Sequence, residues 1–183
     1  CSLSESEMEM YWSRRIASSA RPQQELEKFW YIDNYRELVR REVGLLGGSG
    51  LLLSNGNRVV MIGSGPLPLT AWCLWRQTGA MVDLVDVEPT ALVQSRELAR
   101  AIDWPVGECL LADGAAVALP DNAYDVIYVA GLAGDSAEAK QQIIDNILPA
   151  LRPGGRIIVR GAHGAKTLLY PAFDPNSLQR VQL

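Results

Sequence analysis

Apolar positions fall along this chain in two rhythms, and the change between them divides it. Up to about residue 47 they recur at helical spacing. Residues 1–20 read as one helix, Arg21-Pro22 interrupts it, and a second helical stretch runs from about Gln24 through Leu46 with a bend near Asp33. Tyr35, Leu38, Val39, Glu42 and Leu46 share one face of that stretch. Glycine-rich segments 47–50 and 54–57 flank a leucine triplet and form a linker. From Arg58 onward short continuous apolar runs take over, as expected of strands buried on both faces, at 58–62, 81–86, 109–112, 124–130 and 156–160.

Helical signals lie between these runs. Glu88-Pro89 opens one helix, with proline at its first turn. Asp135 begins another with Glu138 three residues on, a capping-box pattern, and its apolar stripe is Ile143, Ile144, Ile147, Leu148 and Leu151. Strands alternating with helices predict an α/β fold: a Rossmann-like, doubly wound, mainly parallel sheet that binds ligands at the carboxyl ends of its strands. The predicted organisation is a helical lid segment at 1–47 and a Rossmann-like domain at 58–183.

Candidate chemistry gathers at that edge. Gly63-Ser64-Gly65-Pro66-Leu67-Pro68-Leu69-Thr70 follows the first strand and leads into a helix, an arrangement that offers bare backbone N–H groups to a nucleotide-type ligand. Pro66 stands where the dinucleotide fingerprint has its third glycine, which favours a ligand without phosphates. Asp86 ends the second strand about twenty residues on, where a carboxylate accepts ribose hydroxyls. Helix capping is the plain alternative for Asp86 and the preferred reading for Glu88. The third strand ends in Asp113-Gly114 and the fourth in Ala130-Gly131.

Over residues 58–160 this assembly resembles a class I S-adenosylmethionine-dependent transferase, with Leu148-Pro149-Ala150-Leu151-Arg152-Pro153-Gly154-Gly155 similar to that family's approach to strand five. Three further stretches resemble nicotianamine synthases: the string at 63–70, Arg160-Gly161-Ala162-His163-Gly164-Ala165-Lys166-Thr167-Leu168-Leu169-Tyr170-Pro171, and the aromatic segment Phe29-Trp30-Tyr31-Ile32-Asp33-Asn34-Tyr35. Cys1, Glu5, Glu9 and Ser13 also match the family's spacing without a gap. Members of that family carry more helix before the position of Cys1 and more sheet after Pro171, so the chain is expected to be shorter at both ends.

The resemblance implies transfer of the 3-amino-3-carboxypropyl group of S-adenosylmethionine to an amine, with release of methylthioadenosine, in making a nicotianamine-like metallophore. It implies Glu9 and Tyr35 as catalytic residues; His163, by its own chemistry, is a further catalytic candidate, orienting substrate or standing in as the base. Gly63, Ser64, Gly65, Pro66, Asp86, Val87, Asp113, Gly114, Ala130, Gly131 and Leu132 would hold the co-substrate, and Arg160 and Lys166 the acceptor's carboxylates. The acceptor would be histidine or a nicotianamine-type intermediate; no metal is required, and a homodimer is admitted. Two other readings use the same pocket: a small-molecule methyltransferase, which would release S-adenosylhomocysteine, and a non-catalytic S-adenosylmethionine-binding module.

Chemistry gives the glutamate a task. An amino-acid ammonium has no lone pair and must lose a proton before it attacks a sulfonium carbon. Glu9, between Met8 and Met10 and one turn from Trp12, could be raised toward that duty by desolvation. The plainer readings are a solvated helix face for Glu9, a packed core tyrosine for Tyr35, a loop hydrogen bond for His163 and packing for Tyr170.

Composition adds limits. The 183 residues suffice for one sizeable domain with an appended helical piece. Cys1, Cys73 and Cys109 are odd in number and unpatterned, which points to a reducing cytoplasm and no metal framework, and His163 is the sole histidine. No run approaches membrane-spanning length and no signal peptide precedes the first helix. A net charge of −4 argues against nucleic acid as a partner. Arg36, Arg40 and Arg41 alternate with Glu37 and Glu42 as a salt-bridged solvent face would.

Overall fold

The computed structural model describes residues 2–134 and 136–161. Five strands, β1 (Arg58–Ile62), β2 (Met81–Asp86), β3 (Cys109–Leu111), β4 (Tyr124–Val129) and β5 (Leu151–Val159), pair throughout in parallel in the order β3-β2-β1-β4-β5. From β1 the chain winds outward to β3, then returns to start β4 on the other side of β1. The reversal lies between β1 and β4, where a crevice opens at the carboxyl ends of an open parallel sheet.

Alternation distributes the strand residues over two cores. Val59, Met61, Val82, Leu84, Val126 and Tyr128 face one cluster, and Val60, Ile62, Val85, Ile127 and Val129 face the other. The second is closed by α6 (Ala137–Ile147) through Ile143 and Ile147. The first is covered by α4 (Leu69–Thr78) and α5 (Pro89–Ala101), and on these lie α3 (Ile32–Gly48) and α1 (Ser2–Ala17) respectively. Trp12, Ile16, Phe29, Ile32 and Val39 share this cluster with the sheet, so the amino-terminal helices are packed into the main core. Burial of side chains this size stabilises by about 1.5–3 kcal/mol each, which holds α1 and α3 in register over the strand ends.

Several boundaries differ from expectation. The second helical stretch is two helices, α2 (Pro22–Leu26) and α3, because Phe29 turns into the core and residues 27–31 form tight turns, with Phe29 N–H donating to Leu26 C=O and Ile32 N–H to Phe29 C=O. Pro22 therefore begins a helix rather than only ending one. The cap of α6 is Ser136, whose Oγ accepts from Ala139 N–H at 3.1 Å. Asp135 lies outside the described residues. Leu148 belongs to a 3₁₀ turn (Leu148–Ala150), and Leu151 already starts β5. That strand begins early because Pro153-Gly154-Gly155 bulges within it: Tyr124 pairs with Leu151, but Val126 pairs with Arg156. Gly154 turns with φ +81°, and a side chain at Gly155 would meet Leu151 and the Asp125 carbonyl within 3 Å.

Candidate functional site

The turns after β1, β2, β3 and β4 lie along the carboxyl edge of the sheet, with Arg160 just past β5. Gly63 and Gly65 adopt φ +76° and +67°, conformations that L-side chains rarely take, and this sharp turn brings the chain from β1 into α4. Its N–H groups are not bare, contrary to expectation. Gly63 N–H and Ser64 N–H both donate to Val85 C=O at 2.9 and 3.1 Å, and Gly65 N–H donates to Asp86 Oδ2 at 2.7 Å. Pro66 and Pro68 have no N–H, so the approach to α4 offers little to an anion. The Ser64 hydroxyl is buried without a partner among the described residues.

Asp86 ties two loops together, its other oxygen accepting from Glu88 N–H at 3.0 Å. A carboxylate has about four acceptor sites, so two remain after these bonds. Glu88 occupies the N-cap position of α5, but its side chain makes no capping bond. Ser95 of α5 braces the turn from behind, its hydroxyl lying 2.8 Å from Gly65 C=O and 2.9 Å from Ala91 C=O.

Glu9 of α1 reaches this same turn. Its Oε2 stands 2.9 Å from where a Cβ on Gly65 would be, in contact with the turn. Burial, then the negative charges of Glu5 and Asp86, raise its pKa to about 7. Tyr35 of α3 belongs to the same electrostatic group: burial and the charge of Glu9 raise its phenol to about 12, against a lowering by Arg160.

Arg160, just past β5, is already engaged. Its Nε and Nη2 donate to the two oxygens of Glu42, both at 3.0 Å, and Nη1 donates to Thr70 Oγ1 at 2.6 Å. Its guanidinium lies 5.8 Å from the centre of the Tyr128 ring. Two of its five N–H groups, one on each Nη, are left over from these bonds. Glu42 is consequently buried, not part of the solvent face expected of it; Arg40 and Arg41 pair with Glu37, and Arg36 with Glu27 and Asp33. The Tyr128 hydroxyl is buried close by without a well-formed hydrogen bond, and burial pushes its pKa well above the usual phenol range.

The remaining expected residues rim the crevice. Val87 and Leu132 are exposed apolar side chains after β2 and β4. Asp113 Oδ1 accepts from Ala115 N–H at 2.9 Å, and Gly114 is pressed so close to Ile62 that a Cβ would lie 2.6 Å from its Cγ2. Ala130 N–H donates to Ile62 C=O, which brings Ala130 and Gly131 beside the glycine turn. Glu9, Tyr35, Arg160, Asp86 and the glycine turn are brought together. His163, Lys166 and Tyr170 lie outside the described residues, as does Cys1. Among the described residues no group of three or more His, Cys, Asp or Glu side chains could hold a metal ion, and no helix is long and apolar enough to cross a membrane.

Sequence reading missed Thr70, Ser95 and Tyr128, and Lys140, whose Nζ donates to the carbonyls of Ala130, Gly131 and Ala133 after β4, and it set Glu42 both on the Tyr35 face and among the charges of a solvent face. Two signals were present. Glu42 falls seven residues after Tyr35, hence on its face of α3, and Lys140 sits on the apolar stripe of α6 with Ile143, Ile144 and Ile147.

The family model described as nicotianamine synthase protein matches residues 1–183. The chain is 34% identical over 185 residues to nicotianamine synthase 9 of Hordeum vulgare and 31% identical to nicotianamine synthase 3 of Oryza sativa subsp. japonica, in each case covering 98% of this chain and 54% of the relative. Among solved structures it is similar to MtNAS in complex with MTA and tNA, with TM-score 0.79 and 27% identity over 94% of this chain and 61% of that one. A glutamate-to-glutamine mutant of MtNAS in complex with S-adenosylmethionine gives TM-score 0.78 at 26% identity, over 94% of this chain and 63% of that one. The chain thus spans about half the length of the curated relatives it matches. A family-model match along the whole chain, identity above 30% to curated relatives and a shared fold together show that this chain belongs to the nicotianamine synthase family.

Proposed function

We propose that the chain transfers the 3-amino-3-carboxypropyl group of S-adenosylmethionine to the amine of an amino-acid acceptor, histidine or a nicotianamine-type intermediate, and releases methylthioadenosine in the making of a nicotianamine-like metallophore. One observation carries this reading: a carboxyl on α1, raised to about 7 by burial, stands against the glycine turn beside Asp86 and Tyr35. A nucleoside end fits Asp86, whose two remaining acceptor sites suit ribose hydroxyls, with Gly63, Ser64, Gly65, Pro66 and Val87 around it. Asp113, Gly114, Ala130, Gly131 and Leu132 close the base end. The likeness to MtNAS complexes with S-adenosylmethionine and with MTA supports this assignment.

In the reacting complex the acceptor amine gives up a proton to Glu9, and its freed lone pair forms the new C–N bond at the aminocarboxypropyl carbon. The C–S bond breaks with its electrons passing to sulfur, so the departing thioether is neutral and needs no proton. A base whose pKa lies near the working pH serves this best, and such a base contributes roughly 10² to 10⁴ in rate. Tyr35 orients Glu9 and the amine. Arg160 would take an acceptor carboxylate through its leftover N–H groups, in company with Lys166, and His163 is a further acid–base candidate. Segment 1–47 acts as the lid of the 58–183 domain, excluding water from the sulfonium. Cys73 and Cys109 are both free thiols, in keeping with a reducing cytoplasm.

The test is product identity. The protein incubated with S-adenosylmethionine and a panel of amino acids should accumulate methylthioadenosine by chromatography. Accumulation of S-adenosylhomocysteine would show a methyltransferase instead, and binding of S-adenosylmethionine with neither product a non-catalytic module.

A further inference from the structure

Lys140 is held in a place that disfavours a lysine. It is 1% exposed, on the apolar stripe of α6, and no carboxylate charge bears on it among the described residues; burial lowers its pKa. It stands in the first turns of the helix, where the dipole repels a cation. A buried ammonium without a counter-ion is costly unless its donors are matched. Here they are matched in full: Nζ donates to the carbonyls of Ala130 at 3.3 Å, Gly131 at 3.0 Å and Ala133 at 2.6 Å, three donors to three acceptors.

All three acceptors lie on one loop, the one that follows β4. That loop is pressed on the glycine turn: a Cβ on Gly63 would lie 3.0 Å from the Ala133 Cβ and 3.4 Å from the Ala130 Cβ. At its far end Gly134 turns back with φ +76°, and a side chain there would stand 3.0 Å from Lys140 N and 3.1 Å from its Cγ. The loop is therefore fastened from α6 at one side and seated on the β1 turn at the other. Its ends are also held, Ala130 N–H donating to Ile62 C=O and Ala133 packing on the second core, but Gly131 and the exposed Leu132 between them have no apolar anchor.

We propose that Lys140 is a positioning residue for the nucleoside end of the site, fastening loop 130–133 against the Gly63 turn so that the pocket is formed before the ligand arrives. This rests on the proposed function, in which Ala130, Gly131 and Leu132 meet the co-substrate. An ordered loop spares the ligand the entropy of ordering it. In the bound complex the loop is covered and cannot open, so the lysine should be least accessible then.

Two measurements with methylthioadenosine as the probe test this. Lys140→Met keeps the apolar stem and removes the ammonium; calorimetry should show affinity falling by about tenfold or more, and amide hydrogen exchange should accelerate at residues 130–134 while β1 and β2 keep their protection. Unchanged affinity with unchanged exchange in that loop would overturn the proposal. Should the variant not fold, the parent protein answers. Acetylation of Lys140 by an N-hydroxysuccinimide ester, followed by mass spectrometry, should slow as methylthioadenosine saturates the site while acetylation of the exposed Lys28 does not. A Lys140 rate indifferent to saturation would equally overturn it. If the parent itself fails to bind methylthioadenosine, the proposed function fails instead, a result distinct from binding that leaves the loop unaffected.

Discussion

Asp83 and Asp86 sit three residues apart on β2, and the two ends of the sheet treat them differently. Asp83 is fully buried toward the amino end, where its Oδ2 accepts from Arg58 Nη2 at 2.6 Å and Tyr124 OH at 2.8 Å, and its Oδ1 from Glu108 N–H at 2.8 Å. Every partner there is protein, and the network joins β1, β2, β4 and the approach to β3. Asp86, at the carboxyl end, accepts only two backbone N–H groups and keeps acceptor sites for something else. Its neighbours among the described residues also carry unfinished chemistry: a glutamic acid raised to about 7 and a serine hydroxyl without a partner. A saturated network costs stability when cut, whereas an unsaturated one is poised for a ligand.

The contrast can be probed from both ends. The largest effect is expected from Glu9→Gln, which keeps shape and hydrogen bonding but not basicity: turnover at neutral pH should fall by roughly 10² or more with affinity for S-adenosylmethionine nearly unchanged. Raising the pH should partly restore it, because more acceptor is then already deprotonated. Full activity in steady-state assays of this variant would remove Glu9 from the chemistry and pass the duty to His163. The same change should also alter stability. A carboxyl raised in the folded state binds a proton on folding between its unfolded pKa and about 7, so its ionisation costs stability as pH rises through that window and the cost is complete above it. Thermal melts should therefore show Glu9→Gln gaining stability over the parent at pH 8 and little or nothing at pH 4.

At the other end, Asp83→Ala should leave Arg58 and Tyr124 without their acceptor and cost about 3 kcal/mol, some 6–12 °C in Tm for a chain this size. Ligand affinity per folded molecule should hardly move, and a calorimetric Kd changed more than a few-fold would show that the amino-end network reaches the crevice. Asp86→Ala should do the reverse. Losing a charge-assisted contact to ribose weakens binding of methylthioadenosine by roughly 1.5 to 3 kcal/mol, with a smaller loss of Tm than Asp83→Ala. Parent-like affinity there would take the ribose away from Asp86. The smallest effect should come from Glu5→Gln. Removing a like charge from beside Glu9 shifts the acid limb of the rate profile to lower pH, since burial, the larger cause of the raised pKa, remains. An acid limb moving upward would contradict the assignment of that limb to Glu9.

Much of this was written in local pattern. Continuous apolar runs separated by helical stripes gave a parallel α/β sheet, because a strand covered on both faces must be apolar at nearly every position. Gly63, Gly65 and Asp86 followed from what a sharp turn and a strand end require, and Glu9 and Tyr35 from motif resemblance. The early start of β5 was hidden because a bulge at Pro153-Gly154-Gly155 looks in sequence like an ordinary loop. The break between α2 and α3 was hidden because Phe29 fits a helical stripe as readily as a turn that points inward.

Local sequence sets which faces are apolar and where the backbone can turn, since those depend on neighbours a few residues away. Which polar groups meet depends on contacts across the chain. Arg160 reaches Glu42 over a separation of 118 residues, and Glu9 meets a glycine on another element. Helical spacing puts Glu42 on the Tyr35 face, but no short-range pattern could decide that Arg160 would be its partner, or that Asp83 is saturated while Asp86 is not. Packing of α3 on α4 took Glu42 out of water, and the pairing of β1, β2 and β4 enclosed Asp83 with Arg58 and Tyr124, leaving each with whatever partner the fold supplied.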